Sequence, residues 1–428
     1  MKKIFIILAL LIAGNLLQAQ NYWLRSSFNP NMNLFAVTYT DSTNFYIAAD
    51  SGKIFHSTDA GLSWSMQNTG YLSRISDINF LDVNTGYAIS WEFGLTNPDF
   101  IGSIILKTTN GGINWQTNRV DTGITFSKIF FTDSQNGMLT GYPVGILRTT
   151  NGGLNWTNDY IDSATFYDYP IKSFIKRNSQ LSIACGGWND IQGVIWRTTN
   201  NGLNWAAQGV GFEPLYSLHF FDDNNVIAVG GDFEYGASMA KSTNGGINWV
   251  YTSFEQFGIA LGMSFRIPSE GWIALSLGHT FLYTRNSGNT WNAWETPNGE
   301  YIYDVKFSNN RNGIAVGEHG AILKFNTDYV GIENTGTTIP SNIHLKQNYP
   351  NPFNPSTIIS FTVQRPEFVT LKIYDMLGKE VETLINGVIN PGEHKINFSS
   401  AEIPAGVYYY TLKTESNFTE TKKMVLVK

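Results

Sequence analysis

The sequence of 428 residues is poor in several features that would indicate particular classes of protein. Its single cysteine, Cys185, excludes an internal disulfide framework. Charged residues make up only 14% of the chain, the net charge is −6, and no basic block occurs. This composition argues against nucleic acids and anionic membranes as partners.

Catalytic and metal-binding signatures are also absent from the sequence. The six histidines do not have the spacing of metal ligands, and neither a phosphate-binding loop nor a nucleophile elbow occurs. We therefore expect no cofactor, no metal and no catalytic residue.

Only one long apolar run exists, and it lies at the N-terminus. Residues Met1–Ala19 combine Lys2 and Lys3 with an apolar stretch and the sequence Leu-Gln-Ala, which is typical of a secretory signal cleaved near Gln20. No other run of about 20 apolar residues could cross a membrane. The sequence predicts export to the periplasm and no integral membrane segment after cleavage.

The chain is rich instead in glycine, aromatic residues and one repeated motif. The eight-residue pattern Ser/Thr-x-Asp/Asn-x-Gly-x-x-Trp occurs six times, at Ser57–Trp64, Thr108–Trp115, Thr149–Trp156, Thr198–Trp205, Ser242–Trp249 and Thr284–Trp291. Successive tryptophans lie 51, 41, 49, 44 and 42 residues apart. That period is the length of one four-stranded propeller blade.

Each copy predicts a tight turn between two strands. A short Asp or Asn side chain can accept hydrogen bonds from nearby amides, the glycine permits a positive φ, and the Trp can bury a large apolar surface. Because the motif recurs at equivalent positions, we interpret it as structural. The residues concerned are Asp59, Trp64, Asn110, Trp115, Asn151, Trp156, Asn200, Trp205, Asn244, Trp249, Asn286 and Trp291.

The strand pattern predicts seven blades. After the last motif, a seventh set of inner strands runs from Tyr301 to Phe325 without a fourth strand, whereas Tyr22–Phe28 at the other end has no inner strands before it. The two fragments complement each other. We expect an all-β, seven-bladed β-propeller over residues 20–326, closed by the N-terminal strand.

The repeated motif resembles the Asp-box, or BNR, repeat. That repeat is found in sialidases, in other glycoside hydrolases and in photosystem II assembly factors of the Ycf48 type. The resemblance extends over the whole of the predicted propeller and implies that fold, but these relatives differ in function.

A second domain follows a linker at residues 327–341. About six short strands over residues 342–428, separated by turns such as Asn390-Pro391-Gly392, predict a small immunoglobulin-like β-sandwich. A proline-rich lead-in segment, Asn348–Pro355, precedes its first long strand. A carbohydrate-binding or adhesive sandwich is one interpretation of this pattern.

Four ordered motifs in this domain resemble the type A sorting domain of the type IX (Por) secretion system of Bacteroidetes. They are Tyr349–Thr357, Ile373–Val381, Ile403–Tyr408 and Lys422–Lys428. The resemblance implies recognition by the secretion translocon and delivery to the outer cell surface or the medium. The residues that it implicates in sorting are Gly406, Tyr408, Lys423, Val425, Val427 and Lys428.

One face of the propeller is expected to carry the ligand-binding site. In a meandering blade a–b–c–d, the b–c loops and d–a connections emerge on the face opposite the Asp boxes. The loops there are aromatic and acidic, which suits an extracellular glycan or protein ligand, unless they bury their rings against one another. The residues are Trp91, Glu92, Phe93, Tyr167, Tyr169, Trp188, Asp190, Phe233, Glu234, Tyr235, Glu318 and His319.

A non-catalytic binding or scaffold module is the expected function, with a glycoside hydrolase as the alternative. Residues Phe265–Pro268 match the Phe-Arg-Ile-Pro motif of sialidases, but they follow the fifth Asp box and fall on an a–b turn of the repeat. Two carboxylates on the loop face about 5–10 Å apart, one with a raised pKa, would favour the enzyme.

Overall fold

A computed structural model describes residues 22–93, 100–120, 125–142, 145–162, 166, 168–327, 333–334, 343–363, 367–389, 392–399, 403–416 and 418–427. The predicted signal segment and most of the predicted linker lie outside the described residues. Two compact units are distinguished, one of which spans Trp23–Phe325 and the other of which contains the C-terminal domain. Among the described residues, no helix is long and apolar enough to cross a membrane.

The unit Trp23–Phe325 is all-β, as predicted, and its described residues form seven sheets. The chain begins with strand β1 (Trp23–Arg25). The first sheet then consists of β2 (Leu34–Tyr39), β3 (Phe45–Ala49), β4 (Lys53–Ser57) and β5 (Ser65–Asn68), and the second of β6 (Ile75–Phe80), β7 (Gly86–Phe93), β8 (Phe100–Thr108) and β9 (Gln116–Val120). The third sheet consists of β10 (Thr125–Phe131), β11 (Gly137–Tyr142), β12 (Ile146–Thr149) and β13 (Thr157–Asn158).

The next three sheets continue along the chain. The fourth sheet consists of β14 (Tyr160–Asp162), β15 (Ile171–Lys176), β16 (Ser182–Trp188), β17 (Gln192–Thr198) and β18 (Asn204–Gly209). The fifth consists of β19 (Leu215–Phe220), β20 (Val226–Asp232), β21 (Gly236–Ser242) and β22 (Val250–Ser253), and the sixth of β23 (Ile259–Ile267), β24 (Glu270–Ser276), β25 (Thr280–Thr284) and β26 (Asn292–Glu295). Apart from β14, consecutive antiparallel strands pair in each of these six sheets, so the chain meanders from strand a to strand d.

The seventh sheet joins the two ends of this unit. Its strands β27 (Ile302–Phe307), β28 (Gly313–Gly317) and β29 (Ile322–Phe325) are completed by β1, with Trp23 opposite Phe325. A short 3₁₀ helix, Glu318–Gly320, links β28 to β29. Trp23 is fully buried and stacks on Phe281 at 5.1 Å. The N-terminal strand thus supplies the fourth strand that the sequence after β29 lacks, so β29 is not left as an unpaired edge.

The hydrophobic core lies between the faces of neighbouring sheets. Tyr46 of β3 stacks on Phe80 of β6 with ring centroids 3.6 Å apart, and Tyr87 of β7 stacks on Phe131 of β10 at 3.5 Å. Similar apolar clusters join the following sheets in succession. This sheet-on-sheet packing is that of a propeller.

The six copies of the repeated motif, which we call Asp boxes after the repeat that they resemble, form the turns between strands c and d. In the first copy, Ser57 Oγ accepts a hydrogen bond from Gly61 N at 2.8 Å, and Asp59 Oδ1 accepts one from Ser63 N at 2.8 Å. The other five copies repeat this pair of bonds at distances between 2.9 Å and 3.1 Å. Because these oxygens accept from amides of their own turn, the motif stabilises the turn itself.

One connection adds an outer strand to the regular pattern. The segment β14 pairs in parallel with β18, beyond strand d of its sheet. Nearby, Asp159 accepts a hydrogen bond from the Trp205 indole at 3.2 Å and pairs with Arg148 at 2.9 Å. The long connection after the third Asp box is therefore partly used to bury Trp205, which is fully inaccessible.

The C-terminal unit is a two-layer β-sandwich. Its strands are β30 (Glu333–Asn334), β31 (His344–Leu345), β32 (Ser356–Val363), β33 (Glu367–Tyr374), β34 (Glu380–Ile389), β35 (Gly392–Ser399), β36 (Gly406–Thr414) and β37 (Thr419–Leu426). They form the sheets β30–β35–β32–β31 and β34–β33–β36–β37, which enclose one apolar core. The immunoglobulin-like topology stays a prediction.

The lead-in segment and the last strand of this unit are bonded together. Phe353 N donates to Val425 O at 2.9 Å, and Val427 N donates to Phe353 O at 2.9 Å. Asn351 Oδ1 accepts from Val425 N at 2.9 Å. Two of the motifs that resemble the sorting domain thus meet in space, while Lys428 lies outside the described residues.

Candidate functional site

The b–c loops and d–a connections emerge on the face of the propeller opposite the Asp boxes, because strands a to d alternate in direction. Two of the predicted residues on this face are not described: Tyr167 lies outside the described residues, as does the side chain of Phe93. The other ten differ in whether they are exposed or already engaged by the protein.

Trp91 and Glu92 are engaged by residues of neighbouring strands and turns. The Trp91 indole donates to Phe126 O at 2.9 Å, and the guanidinium of Arg74 lies 4.0 Å from the centroid of its ring. Glu92 forms an ion pair with Arg119 at 3.0 Å. This part of the face is packed rather than open.

Tyr169, Glu318 and His319 also lie apart from any open aromatic cluster. Tyr169 is partly buried and packs edge-on against Phe166 at 5.4 Å. Glu318 accepts a hydrogen bond from the Tyr303 hydroxyl, whereas His319 beside it is 84% exposed. The structure does not gather these three residues into one site.

Four exposed rings lie instead on the loops that border the sheet β19–β22, although Trp188 among them also packs edge-on against Tyr142 at 5.0 Å. Trp188 ends β16, Phe233 and Tyr235 lie in the β20–β21 loop, and Phe212 lies in the connection before β19. We call these four residues the aromatic sector. Their exposed fractions are 37%, 57%, 65% and 76% in that order, and Glu234 between two of them is also exposed.

Three carboxylates lie on the same loops and connection as the aromatic sector. One oxygen from each of Asp190, Glu213 and Asp232 lies within 4.8 Å of the corresponding oxygens of the other two. Asp190 is exposed, while Glu213 and Asp232 are only 3% and 0% exposed. We call these three residues the acidic trio.

Loop backbone holds the acidic trio in place. Asp232 Oδ1 accepts hydrogen bonds from Glu234 N at 2.9 Å and Tyr235 N at 2.6 Å. Glu213 Oε2 accepts from Asp190 N at 3.4 Å, and Asp190 has a φ of +59°. The bonds orient these side chains toward one another across two loops and one connection.

The crowding of like charges changes the ionisation of the trio. Burial raises the pKa of Glu213 to about 7; the Asp190 amide opposes this shift, and the nearby Asp232 and Asp190 carboxylates reinforce it. Partial desolvation and the neighbouring Asp232 carboxylate also raise the pKa of Asp190, although its side chain is exposed. At neutral pH the trio therefore favours either a bound proton or a bound cation.

The sequence-based prediction included Trp188, Asp190, Phe233, Glu234 and Tyr235 but missed Glu213 and Phe212. These two residues lie in the short connection Gly211–Pro214, which has no repeat signature. The only signal for Glu213 comes from aligning the strands of two sheets. In that alignment, Glu213 and Glu300 both stand two positions before the first paired residue of strand a.

The sialidase-like motif lies away from this face. Arg266 is at the β23–β24 turn, on the side of the Asp boxes, where it forms an ion pair with Glu270 and donates to Asn310 O at 3.0 Å. Its guanidinium is therefore engaged within the protein and does not point to a substrate on the loop face.

Comparison with known proteins identifies the C-terminal domain. Residues 347–428 match the family described as the secretion system C-terminal sorting domain. No curated protein sequence matches the chain.

Solved structures resemble the propeller at low sequence identity. YCF48 bound to a D1 peptide superposes with a TM-score of 0.57 at 18% identity, covering 72% of this chain and 97% of that chain. YCF48 from Cyanidioschyzon merolae has a TM-score of 0.57 at 16% identity, covering 71% and 99%. An ancestral GH74 enzyme has a TM-score of 0.51 at 13% identity, covering 94% and 63%.

These observations define an all-β propeller protein with a C-terminal sorting domain. The sorting domain is that of the type IX secretion system, so the protein is exported to the cell surface or beyond. At these identities, the likeness to solved structures concerns the fold alone.

Proposed function

We propose that the propeller is a non-catalytic binding or scaffold module that acts at the cell surface. Its ligand, an extended peptide or a glycan, would lie over the aromatic sector. The exposure of four large rings on adjoining loops carries this proposal.

Several large exposed rings on adjoining loops are a common feature of recognition surfaces. A folded protein gains stability by burying aromatic surface, so a cluster left in water marks a surface that another molecule covers. Trp and Tyr also contribute disproportionately to binding energy in protein interfaces. The carboxylates of Asp190 and Glu234 at the rim suit hydroxyl groups of a sugar or amides of a peptide.

A structural relative and the export route both agree with this proposal. YCF48, which has the same fold, has been observed with a bound peptide. A protein delivered by the type IX system meets glycans and proteins outside the cell. Either class of ligand can stack on the rings of the aromatic sector.

The experiment is a screen of the mature chain on glycan and peptide arrays. A W188A/F233A double variant removes two rings of the aromatic sector, and I113A/L154A removes two exposed apolar side chains at Asp boxes on the opposite face as a matched control. We expect the affinity for the array ligand to fall at least about tenfold in W188A/F233A and to stay unchanged in I113A/L154A. Equal binding by all three proteins would rule out the aromatic sector as the site.

A glycoside hydrolase is the second candidate, favoured by one observation. Three close carboxylates include Glu213, whose pKa of about 7 is that of a general acid. However, Glu213 and Asp232 are buried, whereas an acid and its partner carboxylate must flank a bound sugar. Cleavage of an array ligand by the wild type, abolished in E213Q, would establish this activity.

A further inference from the structure

The acidic trio lacks a protein counter-charge. Within the described residues, none of Asp190, Glu213 and Asp232 takes part in an ion pair with Lys or Arg. Buried carboxylates are normally paired or bound to a metal, because burial of an isolated charge is costly. The three groups therefore leave a charge that the chain itself does not balance.

A free oxygen on Asp232 points independently to a ligand. Asp232 is completely buried, and its Oδ1 accepts hydrogen bonds from two backbone amides. No amide, hydroxyl or basic group of the described residues donates to its Oδ2, so only a protonated Asp190 or Glu213 could bond to it. Since Oδ1 is fixed by the loop, Oδ2 is the oxygen that remains available to the trio. A buried polar atom without a partner in a native structure requires an explanation such as a bound ion.

The equivalent position in another blade shows what a balanced site contains. Glu300, two residues before strand a of its own sheet, is buried like Glu213 and pairs with Arg25 at 2.7 Å. In the part of the chain that the structure describes, no arginine or lysine takes this place beside Glu213. Its neighbours are two further carboxylates.

We propose that Asp190, Glu213 and Asp232 form a binding site for one hard divalent cation, with calcium as the ion that fits best. This site goes beyond the proposed ligand-binding function and does not depend on it. The cation would join the β16–β17 loop, the connection before β19 and the β20–β21 loop, and so stiffen the segments that carry the aromatic sector.

Three observations favour calcium over other cations. All three donors are carboxylate oxygens, which are ligands of hard cations, and neither His nor Cys belongs to the group. Asp190 is exposed, so water can complete the coordination shell on its side. Calcium tolerates irregular, loop-borne ligands, whereas magnesium demands an octahedral arrangement and loses its water reluctantly.

Because the protein is exported, a calcium site of low affinity would be sufficient. Extracellular calcium modules commonly have dissociation constants of about 10⁻⁴ to 10⁻³ M. A site with three carboxylates of which two are already fixed by backbone or burial belongs to this range.

The test is calcium binding to the mature chain after treatment with a chelator. We expect one site in calorimetry, with a dissociation constant of about 10⁻⁴ to 10⁻³ M. Terbium is the second probe, because its luminescence is sensitised by nearby tryptophan and tyrosine, and it should be displaced by calcium. Calcium should also raise the melting temperature of the protein.

The variants E213Q and D190N each remove one charge from the trio. We expect each to weaken calcium binding at least about tenfold, since each removes a charged ligand. D190N should retain the fold even if E213Q does not, because Asp190 is exposed and Asn is well tolerated at positive φ. The matched control E295Q removes a charge from the exposed strand β26 and should bind as the wild type does.

Two results would overturn the proposal. One is a wild type that binds neither calcium nor terbium at concentrations up to about 10 mM, which would mean that the trio retains a proton instead of a metal. The other is a wild type that binds but whose affinity is unchanged in both E213Q and D190N, which would place the ion elsewhere.

Discussion

The sheet β19–β22 and the sheet completed by β1 use the same backbone position in opposite ways. Glu213 precedes the first sheet and Glu300 the second, each two residues before the first paired residue of strand a. Both residues are buried, with exposed fractions of 3% for Glu213 and 9% for Glu300. The difference between them therefore comes from their neighbours and not from their depth.

The neighbour that differs lies on the outermost strand. Arg25 of β1 pairs with Leu323, and at the same place in the other sheet Tyr251 of β22 pairs with Ala240. Burial by itself would raise the pKa of Glu300. The hydrogen bonds from Arg25 and Asn298 together outweigh burial, so the pKa of Glu300 is lowered. One blade thus neutralises its buried glutamate internally, whereas the other leaves it to a proton or an ion.

The largest expected effect comes from removing Arg25. Met retains the length of the side chain, but R25M leaves Glu300 charged and buried without its partner. We expect the propeller to lose about 2–4 kcal/mol of unfolding free energy at pH 7. Urea unfolding followed by tryptophan fluorescence measures this unit alone, because all twelve tryptophans lie between positions 23 and 294.

Two further variants test the reason for this loss. R25M/E300Q should recover much of the stability, since it removes the unpaired charge. R177M disrupts an ion pair of the same 2.7 Å length whose Asp223 is 66% exposed, and should cost less than about 1 kcal/mol. If R177M and R25M cost the same, burial is not what makes the Arg25 pair important.

The same two sheets differ at a second position, which predicts a pH effect. Lys306 pairs with Asp304 at 3.0 Å, and in the other sheet His219 occupies the position of Lys306 and stacks on Phe265 at 4.3 Å. Burial, aided by the charge of Arg177, lowers the pKa of His219 from 6.5 to about 4. In the unfolded chain, His219 therefore binds a proton as the pH falls below 6.5. In the folded protein, His219 stays neutral until the pH reaches about 4.

Stability should accordingly fall by about 1–3 kcal/mol through His219 alone as the pH drops from 6.5 to 4. The variant H219F retains the stacked ring and should remove this part of the pH dependence. H319Q, at an 84% exposed position, should leave the profile as it is in the wild type. Identical profiles for H219F and the wild type would contradict the prediction.

The sequence predicted repeated features well because each is determined locally. The Asp-box turns depend on a side chain that bonds amides of its own turn, and the closing strand follows from a seventh sheet that lacks its fourth member. The turn requires no distant partner, and the pairing of β1 with β29, although distant in the chain, follows from counting strands in a regular repeat.

The candidate site was predicted only in part because its features depend on long-range contacts. Trp91 and Glu92 look like exposed loop residues in the sequence, yet Arg74 and Arg119 engage them from other segments. Glu213 was missed because a glutamate in a short connection has no distinctive pattern. Its importance arises from two carboxylates that lie on separate loops, one before it and one after it in the chain.

The smallest expected effect comes from transferring the arginine from one blade to the other. Tyr251 lies at the position of Arg25, and it is close enough to the trio that the charges of Glu213 and Asp232 add to burial in raising its pKa. In Y251R the guanidinium should pair with Glu213 as Arg25 pairs with Glu300. Calcium affinity should then fall about tenfold, or about 1.4 kcal/mol, because an internal cation competes with the ion.

A matched variant separates charge from packing at this position. The ring of Tyr251 packs edge-on against Phe212 at 6.3 Å, and Y251F preserves that contact without adding charge. Y251F should bind calcium as the wild type does. Y251R could also bind calcium as the wild type does while tryptophan fluorescence shows that it is folded. In that case the residue on the outermost strand does not decide how a buried glutamate is neutralised. The contrast between the two blades must then arise from Asp190 and Asp232 alone.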